Sequence, residues 1–176
     1  MSGSMTVISA AFLVPLAFII SYYDICYRRI PNPFVLATLL VGFFVHVAFA
    51  GVNGALTSLG GCALAFFLMF LLHIFGAMGA GDVKLFAAIG SVAGANLVLP
   101  MFIVVTLTGG LLAVISMVRA GQMKVTMLRV LHIVFGLLPG QRVPRFAVPA
   151  NRKLTIPYGV AITFGSLISL VLFRAW

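Results

Sequence analysis

Acidic side chains are almost missing from this chain: its 176 residues include two aspartates, Asp24 and Asp82, and no glutamate. Charge of either sign is scarce, at 7% of residues, where an ordinary soluble domain carries about a quarter. With 63% hydrophobic residues, a fold of this length could not hide its apolar surface from water, which excludes a soluble globular domain. Cysteine is limited to Cys26 and Cys62, too few for a disulfide framework or a zinc site of paired thiolates, and both are expected to be packing residues. No Lys or Arg precedes Arg28, so the first apolar run lacks the basic start of a cleaved secretory signal and is expected to remain as a span.

What the chain has in quantity is apolar runs approaching the roughly 20 residues that cross a bilayer core. Six transmembrane helices are expected, at residues 5–22, 34–50, 55–75, 83–99, 101–118 and 156–173, forming one all-α, polytopic membrane bundle over residues 1–176. The breaks between them are chemical: Pro31 and Pro33 after the first run, an uncharged turn at 51–54, the glycines Gly76, Gly79 and Gly81, and Pro100. Between the last two spans lies a basic loop, 119–155, with seven Lys or Arg residues. Its apolar part at 122–138 carries Lys124, Arg129 and His132 and reads as an interfacial amphipathic helix, with a seventh crossing as the competing reading.

The net charge of +9 does not point to nucleic acid, because the basic residues sit between apolar runs and are not interleaved with polar, groove-reading segments. Lipid headgroups are the expected partner of that charge. With six spans, ten of the eleven basic residues fall on one side and Arg174 on the other. The positive-inside rule makes the crowded side cytoplasmic, with both termini outside the cytoplasm and both aspartates at the cytoplasmic mouth.

Ionisable groups near membrane depth are costly and tend to mark function. Each aspartate could simply neutralise a neighbouring base, Asp24 with Arg28 and Asp82 with Lys84. Their placement favours a joint role: one closes the first span, the other opens the fourth on the same side, so a bundle can bring them face to face. Two carboxylates sharing a site cannot both ionise easily, so one keeps a proton while the other takes one from water. That is the acid and base needed to hydrolyse a peptide bond. Helix dipoles suggest the roles: Asp82 at a helix start is expected to be the base, and Asp24 at a helix end to carry the proton. Gly79 and Gly81, in Gly79-Ala80-Gly81-Asp82, would let a substrate backbone approach, and Gly81→Ala is expected to spare folding while slowing cleavage.

The stretches Asp24-Ile25-Cys26-Tyr27-Arg28-Arg29-Ile30-Pro31-Asn32 and Met78-Gly79-Ala80-Gly81-Asp82-Val83-Lys84-Leu85 resemble the prepilin peptidase family of GxGD membrane aspartic proteases. Pro157-Tyr158-Gly159 also looks like that family's closing motif. The resemblance implies removal of the short basic leader of type IV prepilins at the cytoplasmic face of the bacterial inner membrane, with Asp24 and Asp82 as the catalytic aspartates. The insertion with paired CxxC zinc ligands found in larger, bifunctional members is lacking, so N-methyltransferase activity is not expected. The short form looks most like peptidases of Flp-type, tight-adherence pilus systems, with an archaeal preflagellin peptidase a more distant relative.

A small proton- or cation-coupled transporter using the same aspartates is the rival from another class, but no further acid continues a path to the opposite face. No HExxH helix is present, His46, His73 and His132 are scattered, and neither a metal nor a cofactor is expected. His73 could modulate the pair or simply pack. Lys84 could hold a headgroup or favour the anion of Asp82; Tyr23, Asn32 and Pro157 are candidates for shaping the site.

Overall fold

The computed structural model describes residues 3–74, 78–119 and 158–173, and among these there are five helices and no strand. The first, α1 (Gly3–Tyr27), buries Leu13, Leu16, Ala17 and Ile20 and turns Phe18 and Tyr22 outward. It runs five residues past its expected end at residue 22, so Asp24 lies in its last turn and not in the loop beyond. The helix stops at Arg28, whose N–H still donates to the Asp24 carbonyl (3.1 Å) but whose φ of 53° leaves the helical region. Pro31 and Pro33 then separate it from α2 (Asn32–Ile74), in whose first turn Pro33 sits, where a missing N–H leaves no bond unmade.

The turn expected at 51–54 appears as a break inside α2. Gly51 adopts φ 55° and ψ −132°, and beyond it Gly54 comes against the His46 carbonyl. Along a straight helix these two residues would be about 12 Å apart, so the axis turns back sharply. The two arms of α2 share a partner, α3 (Ala80–Ala93). Gly42 on the first arm faces Ser91 and Val92, and Gly61 on the second faces the Gly90 carbonyl. Polar bonds fix the seam: the Ser58 hydroxyl donates to the Ser91 carbonyl (3.0 Å), and the Ser91 hydroxyl to that of Leu39 (3.3 Å).

The break expected at Pro100 falls six residues earlier. Gly94, with φ 78°, caps α3 by donating its N–H to the Gly90 carbonyl (2.9 Å), a backbone angle glycine reaches without strain. Pro100 lies inside α4 (Ala95–Arg119), close enough to its start that only the bond to Asn96 is lost. The last helix, α5 (Tyr158–Leu172), packs on α1, α4 and α3.

Among the described residues, five helices thus stand where six spans were expected, because the second and third expected spans are the two arms of α2. Three helical stretches are long and apolar enough to cross a membrane, Val7–Tyr27, Asn32–Ile74 and Ala95–Ser116, while Tyr158–Leu172 is a shorter apolar helix. At fourteen residues α3 measures about 21 Å, short of the roughly 30 Å hydrocarbon core. The expected interfacial helix in loop 119–155, and Pro157, lie outside the described residues. The helices are apolar on both sides: Leu85, Phe86, Ile89, Met101 and Ile162 are buried, yet Phe67, Leu107 and Val171 point outward at 64%, 68% and 71% exposure. An apolar exterior around an apolar core is what a bilayer, and not water, accepts.

Candidate active site

The two motifs that stand far apart in sequence meet at one end of the helices. The link after α1 lies beside the GxGD loop, with Ile30 side-chain atoms 3.7 to 3.9 Å from where a Cβ on Gly81 would stand. Asp24 is buried, at 8% exposure, and Asp82 is half-buried. The helix that joins them is α5, which packs against both α1 and α3.

Asp24 is seated on the first turn of α5. The Gly159 N–H donates to Asp24 Oδ2 at 2.7 Å, and the Val160 N–H adds a second backbone contact. The Arg28 guanidinium lies within electrostatic reach of the same carboxylate. Gly159 can come this close only because it has no side chain: a Cβ there would lie 2.8 Å from Asp24 Oδ2 and 3.0 Å from Cγ. The turn is itself braced. The Thr163 hydroxyl donates to the Gly159 carbonyl (2.8 Å) and lies 3.4 Å from the Ser21 hydroxyl of α1, one helical turn from Asp24.

Asp82 stands at the third position of α3 and caps it. Its Oδ2 accepts the Gly79 N–H (3.2 Å), while the Asp82 N–H donates back to the Gly79 carbonyl (3.1 Å), which satisfies free donors of the helix start. A capped carboxylate would ordinarily titrate low. Here burial, reinforced by the negative charge of Asp24, pushes Asp82 up to about 6 against the pull of the Gly79 bond. Tyr158 also lies within electrostatic reach of Asp82. The two aspartates thus lie within electrostatic reach of one another.

The remaining sequence candidates divide. Gly79 is tight against the site, since a Cβ would stand 3.2 Å from Asp82 Oδ2. Gly81 is not: its missing Cβ would make ordinary contact with Ile30, and its φ is not positive. Lys84 is exposed, and two residues along a helix is about 200° around the axis, so it faces away from Asp82. Asn32 is exposed at the start of α2, and Tyr23 is half-buried in an aromatic group with Tyr22, Tyr27 and Phe34. His73 bonds the Met78 carbonyl through Nδ1 (2.8 Å); a carbonyl can only accept, so Nδ1 carries the proton and the ring ties the end of α2 to the residue before Gly79. Cys26 is exposed and Cys62 half-buried, so the expected packing role fails for Cys26. Among the described residues, no three of His, Cys, Asp or Glu are grouped so as to hold a metal ion.

One participant was not assigned a role from sequence. Gly159 stood in a recognisable motif, but its contribution is a backbone N–H and an absent side chain, and residue spacing does not reveal either.

Apolar helices of spanning length define a helical membrane protein, with Asp24 and Asp82 near one end of the helices. The type IV leader peptidase family model matches residues 11–114, more than half of the chain, and the chain belongs to that family. It is accordingly a peptidase, and the match includes both aspartates and the GxGD loop. No curated protein and no solved structure gives a significant match.

Proposed function

We propose that this protein is an aspartic endopeptidase that removes the basic leader from type IV prepilins, of the Flp type, at the cytoplasmic membrane face. The observation that carries this reading is the placement of Asp24 and Asp82, the whole complement of side-chain carboxyls, at one end of the helices where the last helix packs on both α1 and α3, inside a chain of the leader peptidase family. One carboxylate withdraws a proton from water as it attacks the scissile carbonyl, and the protonated partner donates to the carbonyl oxygen. The protein needs no nucleophilic side chain for this, and no methyl transfer is expected of it. The test is cleavage of a Flp-type prepilin by the protein in membranes, with the cut located by mass spectrometry just before the pilin's hydrophobic helix. An uncleaved prepilin, together with proton flux in proteoliposomes, would favour a transporter.

The GxGD glycines give a graded prediction. Gly79→Ala crowds Asp82 Oδ2 and should slow cleavage about tenfold, roughly 1.4 kcal/mol of barrier. Gly81→Ala makes only ordinary contact with Ile30 and should melt in detergent at the native temperature. The loss of rate expected at Gly81 from sequence is thus assigned mainly to Gly79. Equal rates for Gly79→Ala and the native protein would remove the loop from the site.

The cytoplasmic placement rests on charge asymmetry. In a background of Cys26→Ser and Cys62→Ser, cysteine reporters in the basic loop 119–155 should label from the cytoplasmic side, and a reporter at Asn53 from the outside. Labelling of position 53 from within would put both aspartates in the wrong compartment for prepilin leaders.

A further inference from the structure

The two aspartates are held differently, and the difference bears on which one activates water. Asp24 ends α1, where the carbonyls of its own helix point toward it and disfavour a negative charge. Its carboxylate does not stay there. It reaches across to the start of α5, takes the Gly159 N–H at 2.7 Å and meets the Val160 N–H, with Arg28 nearby. Burial disfavours the charge on Asp24, and the Gly159 hydrogen bond, the Arg28 cation and the Val160 N–H oppose burial by favouring the ionised form. Asp82 has one longer backbone bond, 3.2 Å, from the residue it caps.

We propose that the first turn of α5 is a cradle that keeps Asp24 as the ionised, water-activating member of the pair and leaves the shared proton on Asp82, with Gly159 as the positioning residue. This reverses the roles suggested by the ends of α1 and α3, and it rests on the hydrolytic reading above. Gly159 acts twice, through its N–H and through the missing Cβ that would otherwise press on Asp24 Oδ2 and Cγ. In the step that follows, the Asp24 carboxylate takes a proton from water as its oxygen bonds to the scissile carbon, and Asp82 passes its proton to the carbonyl oxygen. The pair ends with its proton on Asp24. Collapse of the tetrahedral intermediate returns that proton to the leaving nitrogen, while Asp82 takes back the hydroxyl proton, and the starting state is restored. Among the described residues, the charged or titratable groups around the pair are Arg28 beyond α1, Tyr158 on α5 and the aspartates themselves.

The composition of the chain makes the proton directly observable. With two side-chain carboxyls, the protein labelled with carboxyl-13C aspartate shows only these two side-chain signals, and 15N-isoleucine or 15N-valine distinguishes Asp24-Ile25 from Asp82-Val83. In lipid nanodiscs, between the two titration steps, the Asp24 signal should have the carboxylate position and Asp82 the protonated one; the opposite pattern overturns the proposal. This reading needs no substrate, so it stands apart from any failure of the prepilin assay.

Gly159→Ala supplies the kinetic counterpart. Weakening the cradle makes Asp24 harder to ionise, so the acid limb of the kcat/KM profile should move up by about one pH unit while the alkaline limb, set by Asp82, stays in place. Movement of the alkaline limb would mean that Asp24 carries the proton, and a fall in rate with both limbs fixed would reduce Gly159 to packing. Either result overturns the proposal. If Gly159→Ala does not fold, the carboxyl spectrum of the native protein decides alone.

Discussion

Asp24→Asn and Asp82→Asn are each expected to lower leader cleavage by at least about a thousandfold, roughly 4 kcal/mol of barrier, while the protein remains abundant and inserted. Asparagine keeps the shape of the side chain and a carbonyl oxygen, so the Gly159 N–H retains an acceptor in the first variant and the Gly79 N–H in the second. What is lost is the ability to hold and release a proton. Because the acid and the base act on one step, removing either should cost nearly as much as removing both, and the double variant should be little worse than the singles. Cleavage is read by a gel shift of the prepilin, abundance by immunoblot, and folding by thermal melting in detergent. Retained cleavage in either single variant would sink the assignment of the pair.

The largest effect on stability is expected at Gly61. A side chain there would meet the Gly90 carbonyl, the Gly94 carbonyl carbon at 2.8 Å and the Ala95 nitrogen at 3.0 Å, all of them backbone atoms that cannot rotate away. The contact is mutual, since a Cβ on Gly90 would stand 2.6 Å from the Gly61 carbonyl oxygen. Small residues of this kind let helices approach where lipid supplies no hydrophobic drive to hold them together. Gly61→Val should therefore destabilise by roughly 3 kcal/mol, the upper end for overpacking, and deplete the protein from membranes. Gly60→Ala is the control: its Cβ would lie 3.7 Å from that of Ala95, and it should melt within about 0.5 kcal/mol of the native protein. If Gly61→Val melts like Gly60→Ala, the close seam between α2 and α3 is absent.

The part of the site that sequence revealed was the part defined by scarcity. In a chain with two carboxylates, each adjoining a break between apolar runs, Asp24 and Asp82 stand out on composition and placement alone. The reversal in α2 was legible for a similar reason, because Gly51 and Gly54 interrupt an otherwise continuous apolar run. The break between α3 and α4 was misplaced because proline is a strong local signal and glycine a weak one. Near a helix start Pro100 costs a single bond, whereas Gly94 reaches a left-handed angle that ends α3. The backbone contact of Gly61 with Gly90 was not legible, since a glycine does not encode its partner. The dipole of Asp24's own helix was legible in the sequence, whereas the donors that seat its carboxylate, on a helix 135 positions away, were not.

That separation has a consequence for when the enzyme becomes active. A ribosome that has just delivered α1 to α4 has supplied both aspartates but not the helix start on which Asp24 rests. Until α5 is made and docked against α1 and α3, the carboxylate has neither its donors nor its orientation. On the two-aspartate reading proposed above, cleavage should therefore require synthesis through α5, and a chain cut short before Tyr158 should leave a prepilin unprocessed.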